Sequence, residues 1–180
     1  MAATVTIRRW TGSSGGPTKT DITSANTRAS TSDAASPGTS DPIPVPGAGT
    51  NYSYWVSTRL SVDVAPSGTI NNLKWYTNDG VNSFGTGVTC KGQNSTSYVQ
   101  ATGTQGTTGT QLTTGNHAGL SGAPVDVFTF TSGSPKSLAG TITASTGDLG
   151  DFFVYQIEVG TTAGPGTTPT ETFVFKYDET

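Results

Sequence analysis

The chain has 180 residues, only 12% of them charged, and a formal net charge of −3. That length fits one domain with room for an extended tail. Sparse, net-negative charge excludes nucleic acid as a partner, because phosphate binding needs clustered lysine and arginine. Threonine, serine and glycine replace the usual helix formers, which favours strands joined by many turns. Cys90 is the single cysteine, so no intrachain disulfide is expected. The start, MAATVTIRRW, has no apolar signal core. No stretch reaches the ~20 apolar residues of a membrane span. The expectation is synthesis in the cytoplasm, with any exit by a route such as lysis. Asn51-Tyr52-Ser53 and Asn94-Ser95-Thr96 match the glycosylation pattern, a chance match in a Ser/Thr-rich chain that lacks a secretion signal.

Thr4 to Trp10 alternates weakly, with Val5 and Ile7 on one side, and reads as a first strand. Residues 11–50 hold almost no large apolar side chains and end in DPIPVPGAGT. Pro42, Pro44 and Pro46 fix φ and remove backbone donors, so this stretch is neither helix nor central strand. It is either a disordered linker or an arm lying along another chain; Ile43 and Val45 between the prolines favour the arm. The chain therefore divides into residues 1–50, a strand plus extended arm, and 51–180, the β body.

Tyr52 to Val64 is the clearest strand. Tyr52, Tyr54, Val56, Thr58, Leu60, Val62 and Val64 share one face. Pro66-Ser67-Gly68 turns the chain into Thr69 to Thr77, where Leu73, Trp75 and Thr77 are in phase and Ile70 is not. That slip predicts a bulge near Asn71-Asn72. Asn78-Asp79-Gly80 is a second turn. Residues 81–122 are ambiguous: Gly87 to Lys91 and Ser97 to Thr102 read as short strands, and GTQGTTGTQLTTG as flexible loop. Val125 to Thr131 and Ser137 to Ala144 follow as strands. Phe152 to Val159 and Glu171 to Tyr177 read as a closing hairpin, with Phe152 and Val154 adding burial on the second face. About eight strands without a helix predict an all-β fold, a β-sandwich of jelly-roll type with an extended N-terminal arm.

Catalytic signals are weak. His117 is the single histidine, in a loop-like GNHAG, and reads as a surface or turn residue; no G-x-S-x-G elbow frames a serine nucleophile. Asp148 and Asp151 lie in one glycine-containing turn and read as turn formers rather than a glycosidase pair. Asn78, Asp79, Asp148 and Asp151 are hard oxygen donors, yet no spacing matches an EF-hand, so no metal site and no cofactor are expected. Trp10, Trp55 and Trp75 read as core or interface, with a sugar-stacking platform as the alternative.

Charge is uneven. Residues 1–91 carry seven lysines and arginines against five acids; residues 92–180 carry two against seven. Arg8, Arg9, Lys19 and Arg28 make the front basic, which suits packing against an acidic partner.

Three blocks, PIPVPGAGTNYSYWVSTRL, GTINNLKWYTNDG and LGDFFVYQIEVGTTAGPGTTPTETFVFKYDE, cover about half the chain and resemble small structural proteins of tailed bacteriophage virions, of the capsid decoration (cement) type. The resemblance implies a β-sandwich body on the capsid exterior, grouped as homotrimers and bound to the major capsid protein, with no enzymatic activity. Arg8, Arg9, Pro42, Ile43, Pro44, Val45 and Pro46 are then the candidate inter-subunit contacts. A tail or fibre protein of the virion is the nearest alternative, and a carbohydrate-binding jelly-roll module the alternative of another class.

Overall fold

The computed structural model describes residues 2–180. The fold is all-β, with every strand pairing antiparallel. In chain order the strands are β1 Thr4–Thr11, β2 Thr18–Asp21, β3 Thr50–Tyr52, β4 Val56–Val64, β5 Thr69–Thr77, β6 Val88–Ser95, β7 Gly103–Thr104, β8 Thr108–Gly109, β9 Val125–Asp126, β10 Lys136–Ser137, β11 Ile142–Thr143, β12 Gly147–Gly160 and β13 Phe173–Glu179. One 3₁₀ turn spans Val127–Thr129.

The larger sheet runs β2-β1-β4-β12-β6-β9, with β3 paired to the far end of β12. The smaller sheet is β5 with β10 and β11 along one edge and β13 along the other. The two face each other over one core, where Trp75 of β5 stacks on Phe153 of β12 with ring centroids 3.6 Å apart. This arrangement is consistent with a β-sandwich of jelly-roll type: β4 and β5 are consecutive in the chain and lie in opposite sheets. Each large apolar side chain buried between the sheets contributes about 1.5–3 kcal/mol.

The outer face of the larger sheet is covered as well. Trp10, Tyr54, Trp55, Phe152 and Val154 pack there with Ala101 and Leu112 into a second cluster. Central strands β4 and β12 are therefore buried on both faces. Gln156, wholly buried, ties down the covering segment: its amide donates to the carbonyls of Ser53 and Thr110 at 2.7 and 2.8 Å and accepts from Leu112 N at 2.7 Å.

Several expectations need correction. The long strand from Tyr52 breaks at Ser53–Trp55 into β3 and β4, because Ser53 and Tyr54 turn their amides to Ile157 and Ser30. The ambiguous middle is ordered: β6 is a central strand, β7 and β8 form a small hairpin, and Leu112 is buried. Val125 to Thr131 is strand for two residues only; Asp126 Oδ1 then accepts from Phe128 N at 3.0 Å and winds the chain into the 3₁₀ turn. Ser137 to Ala144 splits into β10 and β11 because Ala139 bonds to Asp151 instead of β5. The closing hairpin does not form. β12 and β13 belong to different sheets, and residues 161–172 cross between them. The bulge in β5 is present: Asn72 has φ 52, and the three steps of β5 from Asn71 to Lys74 oppose the two steps of β13 from Lys176 to Asp178.

Residues 11–50 fold back on the body. β1 lies between β2 and β4, so the first strand shares a sheet with strands beyond residue 50. Ser30, Thr31 and Ser32 are buried. No helix among the described residues is long and apolar enough to cross a membrane.

Candidate functional site

The smaller sheet is narrower than the larger one, and where it ends a cleft of about 760 Å³ opens between them. Ile7, Thr58, Tyr155 and Ile157 form its floor on the larger sheet. Trp75, Phe173 and Phe175 form the facing wall on β5 and β13. Residues 22–30, 38–45 and 163–172 close over the top. Alternation along β12 sends Tyr155 and Ile157 inward, and the Gly/Pro-rich crossing after Gly160 forms one side of the lid.

The proline segment lies at the mouth. Pro42, Ile43, Pro44 and Val45 all line the cleft, and Pro46 follows just outside. Ile43 packs against the main core, whereas Val45 is 41% exposed. Asn51 Nδ2 donates to Pro44 O at 2.9 Å, and Thr31 N donates to Asp41 O at 3.0 Å.

Arg8 and Arg9 are adjacent in sequence and point to opposite faces of β1. Arg8 Nη2 pairs with Asp63 Oδ1 at 2.8 Å on the part-exposed face, a contact worth little in water. Arg9 is 0% exposed. Its Nη1 donates to Thr27 Oγ1 at 2.6 Å and Arg28 O at 2.7 Å, while Nε and Nη2 have no partner. Burial pushes the Arg9 pKa down; the nearby Tyr155 and Asp33 oppose that shift. Burial likewise pushes Asp33 up, against the bond it accepts from Gly12 N. Desolvation drives the Tyr155 hydroxyl up, with Arg9 opposing. Arg9 is thus an internal tie holding residues 27–35 to β1, and of the pair only Arg8 reaches the surface.

Other candidates are engaged in structure. His117 is buried, not superficial as its sequence context suggests, with Trp55 at a centroid distance of 5.3 Å and both ring nitrogens unpartnered. Burial pushes its pKa down. Asp148 pairs with Lys19 at 2.7 Å, and Asp151 accepts from Asn94 Nδ2 at 2.9 Å and Ala139 N at 3.1 Å. Cys90 is buried and its thiol is pushed well up by desolvation, which keeps it unreactive. Trp10, Trp55 and Trp75 are all core residues. No group of three or more histidine, cysteine or acidic residues among the described residues could hold a metal ion.

Tyr155 and the cleft walls escape sequence reading, because five separated stretches of chain build them. One signal was available: Arg9 has the same phase as Val5 and Ile7, the apolar side of β1. Compared with family models, with curated proteins and with solved structures, the chain matches none.

Proposed function

We propose that this protein is a non-enzymatic structural component of a tailed-phage virion, a capsid decoration protein seated on the outside of the head. Its partners are the major capsid protein and further copies of itself, grouped as trimers; nucleic acid and membrane are not among them. The observation that carries this reading is the Pro42–Val45 segment at the cleft mouth. It is extended, stiffened by prolines and only partly covered, so its ordering cost is already met before a partner arrives. The outer edge of β13, which pairs with no strand among the described residues, offers a second surface beside it. The sequence likeness to cement-type proteins supports the same reading.

Replacing residues 42–46 with a glycine-serine linker of equal length tests it on undecorated capsids. The wild-type chain is expected to bind at high copy number and the variant to lose most of its occupancy. Unchanged occupancy removes the segment as the anchor, and no binding by the wild type removes the decoration role. Tens of copies on the tail instead of hundreds on the head would favour the tail or fibre alternative. The carbohydrate-binding alternative loses its platform, since all three tryptophans are buried.

A further inference from the structure

We propose that the outer edge of β13 pairs with β13 of a second copy of this chain, antiparallel about a two-fold axis at Tyr177, so that Lys176 of each copy meets Asp178 of the other. This pairing rests on the reading above only for its setting: where copies group as trimers on a shell, a two-fold contact links one trimer to the next.

The edge is the first argument. β13 pairs with β5 on one side and, among the described residues, with no strand on the other. It is seven residues long and contains no proline, and the bulge opposite Tyr177 lies in β5, so β13 itself is regular. The other outermost strands are short, with four residues in β2 and two each in β9, β10 and β11, which blunts their edges. Thr172 O accepts from Asn78 N, and Thr180 exchanges both backbone bonds with Thr69, so these two residues turn to the β5 side. By alternation, Phe173, Phe175, Tyr177 and Glu179 direct their N–H and C=O groups to the outer edge. Its C-terminal half is the open one: Lys176, Asp178 and Glu179 are exposed, whereas Phe173 to Phe175 are partly covered. An unpaired edge of this kind is a template for another strand.

Charge selects the partner and the register. Lys176 and Asp178 share the outer face of the strand. Lys176 makes no ion pair among the described residues and lies opposite Lys74 of β5, a like-charge neighbour that destabilises. With the axis at Tyr177, residues 176 and 178 of the two copies fall directly opposite each other, at a non-hydrogen-bonded position where side chains come closest. Two Lys–Asp pairs then form. An axis at Lys176 sets that lysine against its own copy, and an axis at Phe175 sets Glu171 against the partner's Glu179. Asn72 Nδ2 donates to Asp178 Oδ2 at 2.6 Å, which holds a carboxylate that has room for a further donor. On the inner face Tyr177 meets its own copy, an aromatic cross-strand pair, while Glu179 keeps its carboxylate on Ala3 N at 3.0 Å. Strand pairing this short buries less than a standard interface, so the pair dissociates on dilution.

Sedimentation of the intact chain without capsids, over a range of concentrations, tests the pairing. A two-copy species is expected to grow in as concentration rises. Lys176→Asp and Asp178→Lys each set like charges opposite one another twice, and each should weaken association about tenfold. Mixing the two variants should restore it, because each then meets its complement; a variant that merely folds badly is not rescued by mixing. Lys176→Cys and Asp178→Cys, mixed under mild oxidation, should form a disulfide between copies faster than either variant alone. The native Cys90 is buried and stays out of that reaction. Absence of a two-copy species in the wild type at the highest soluble concentration overturns the pairing. Equal association in the wild type and both charge variants, or no gain on mixing, overturns the register. None of these readouts involves a shell, so the decoration role stands or falls separately, on the capsid experiment.

Discussion

His117 and Gln156 are both fully buried polar side chains under the same covering segment, and they behave oppositely. Gln156 satisfies its amide with three bonds, so it fixes residues 110–112 to β12. His117 has a partner for neither ring nitrogen and rests on Trp55. Its fold therefore prefers the neutral ring, and its pKa lies below the ordinary value. The unfolded chain, with an ordinary histidine pKa of about 6.5, takes up a proton that the folded chain refuses. Stability contributed by this residue is present above that pH and is lost as the pH falls below it, levelling off once the folded value is passed. Urea midpoints measured from about pH 7 down to pH 5 should fall in the wild type. In His117→Leu the decline should be shallower, with no loss at neutral pH, since no hydrogen bond is removed. An identical slope in the two proteins would show that the histidine does not titrate with unfolding.

At the scale of the element, regular alternation was readable and partners were not. β4, β5 and β12 carry long apolar runs in phase, and even the slip at Asn71-Asn72 appears as a bulge. β6 was hard to see because Gln93, Asn94 and Ser95 are buried polar residues. Gln93 Nε2 reaches Ala123 O, and Asn94 reaches Asp151, so their satisfaction depends on chain far away. Period two shows which face a residue takes but not which strand lies beside it, so the expected pairing of β12 with β13 failed. The break between β10 and β11 had a local sign in Gly140. Its φ is +140°, and a Cβ there would overlap the backbone of Gly150. Gly140→Ala is expected to lower stability by about 1–3 kcal/mol through strain at this crossing. Gly16→Ala, with nothing within 4 Å, should stay within about 0.5 kcal/mol of wild type. Equal denaturation midpoints for the two variants would show that the close approach of the glycines carries no cost.

At the scale of the molecule, the two clusters share the central strands, and the first 21 residues brace both. β1 pairs with β4 from Thr4 to Trp10 and is covered in turn by β2. Val5 and Ile7 pack on the main core, while Trp10 belongs to the second cluster and meets Phe152 edge-on at 4.8 Å. Arg9 between them holds residues 27–35 in place. The boundary at residue 50 therefore has no counterpart in the packing of β1, whereas residues 42–46 lie at the margin. At about 1.5–3 kcal/mol for each large apolar side chain, losing Val5, Ile7 and Trp10 together removes much of the ~5–15 kcal/mol that separates a folded domain from its unfolded chain. Loss of β1 also strips the hydrogen-bonded edge from β4 and opens the floor of the cleft at Ile7. A chain lacking residues 1–21 is accordingly expected to lose its cooperative thermal transition and to expose apolar surface to a hydrophobic dye. The linker variant of residues 42–46 should keep a single transition within a few degrees of wild type, since of its side chains only Ile43 packs on the main core. A truncated chain that unfolds cooperatively near the wild-type midpoint would mean that β1 is an appendage, and the anchor on other subunits would then have to be sought in the N-terminal strand itself.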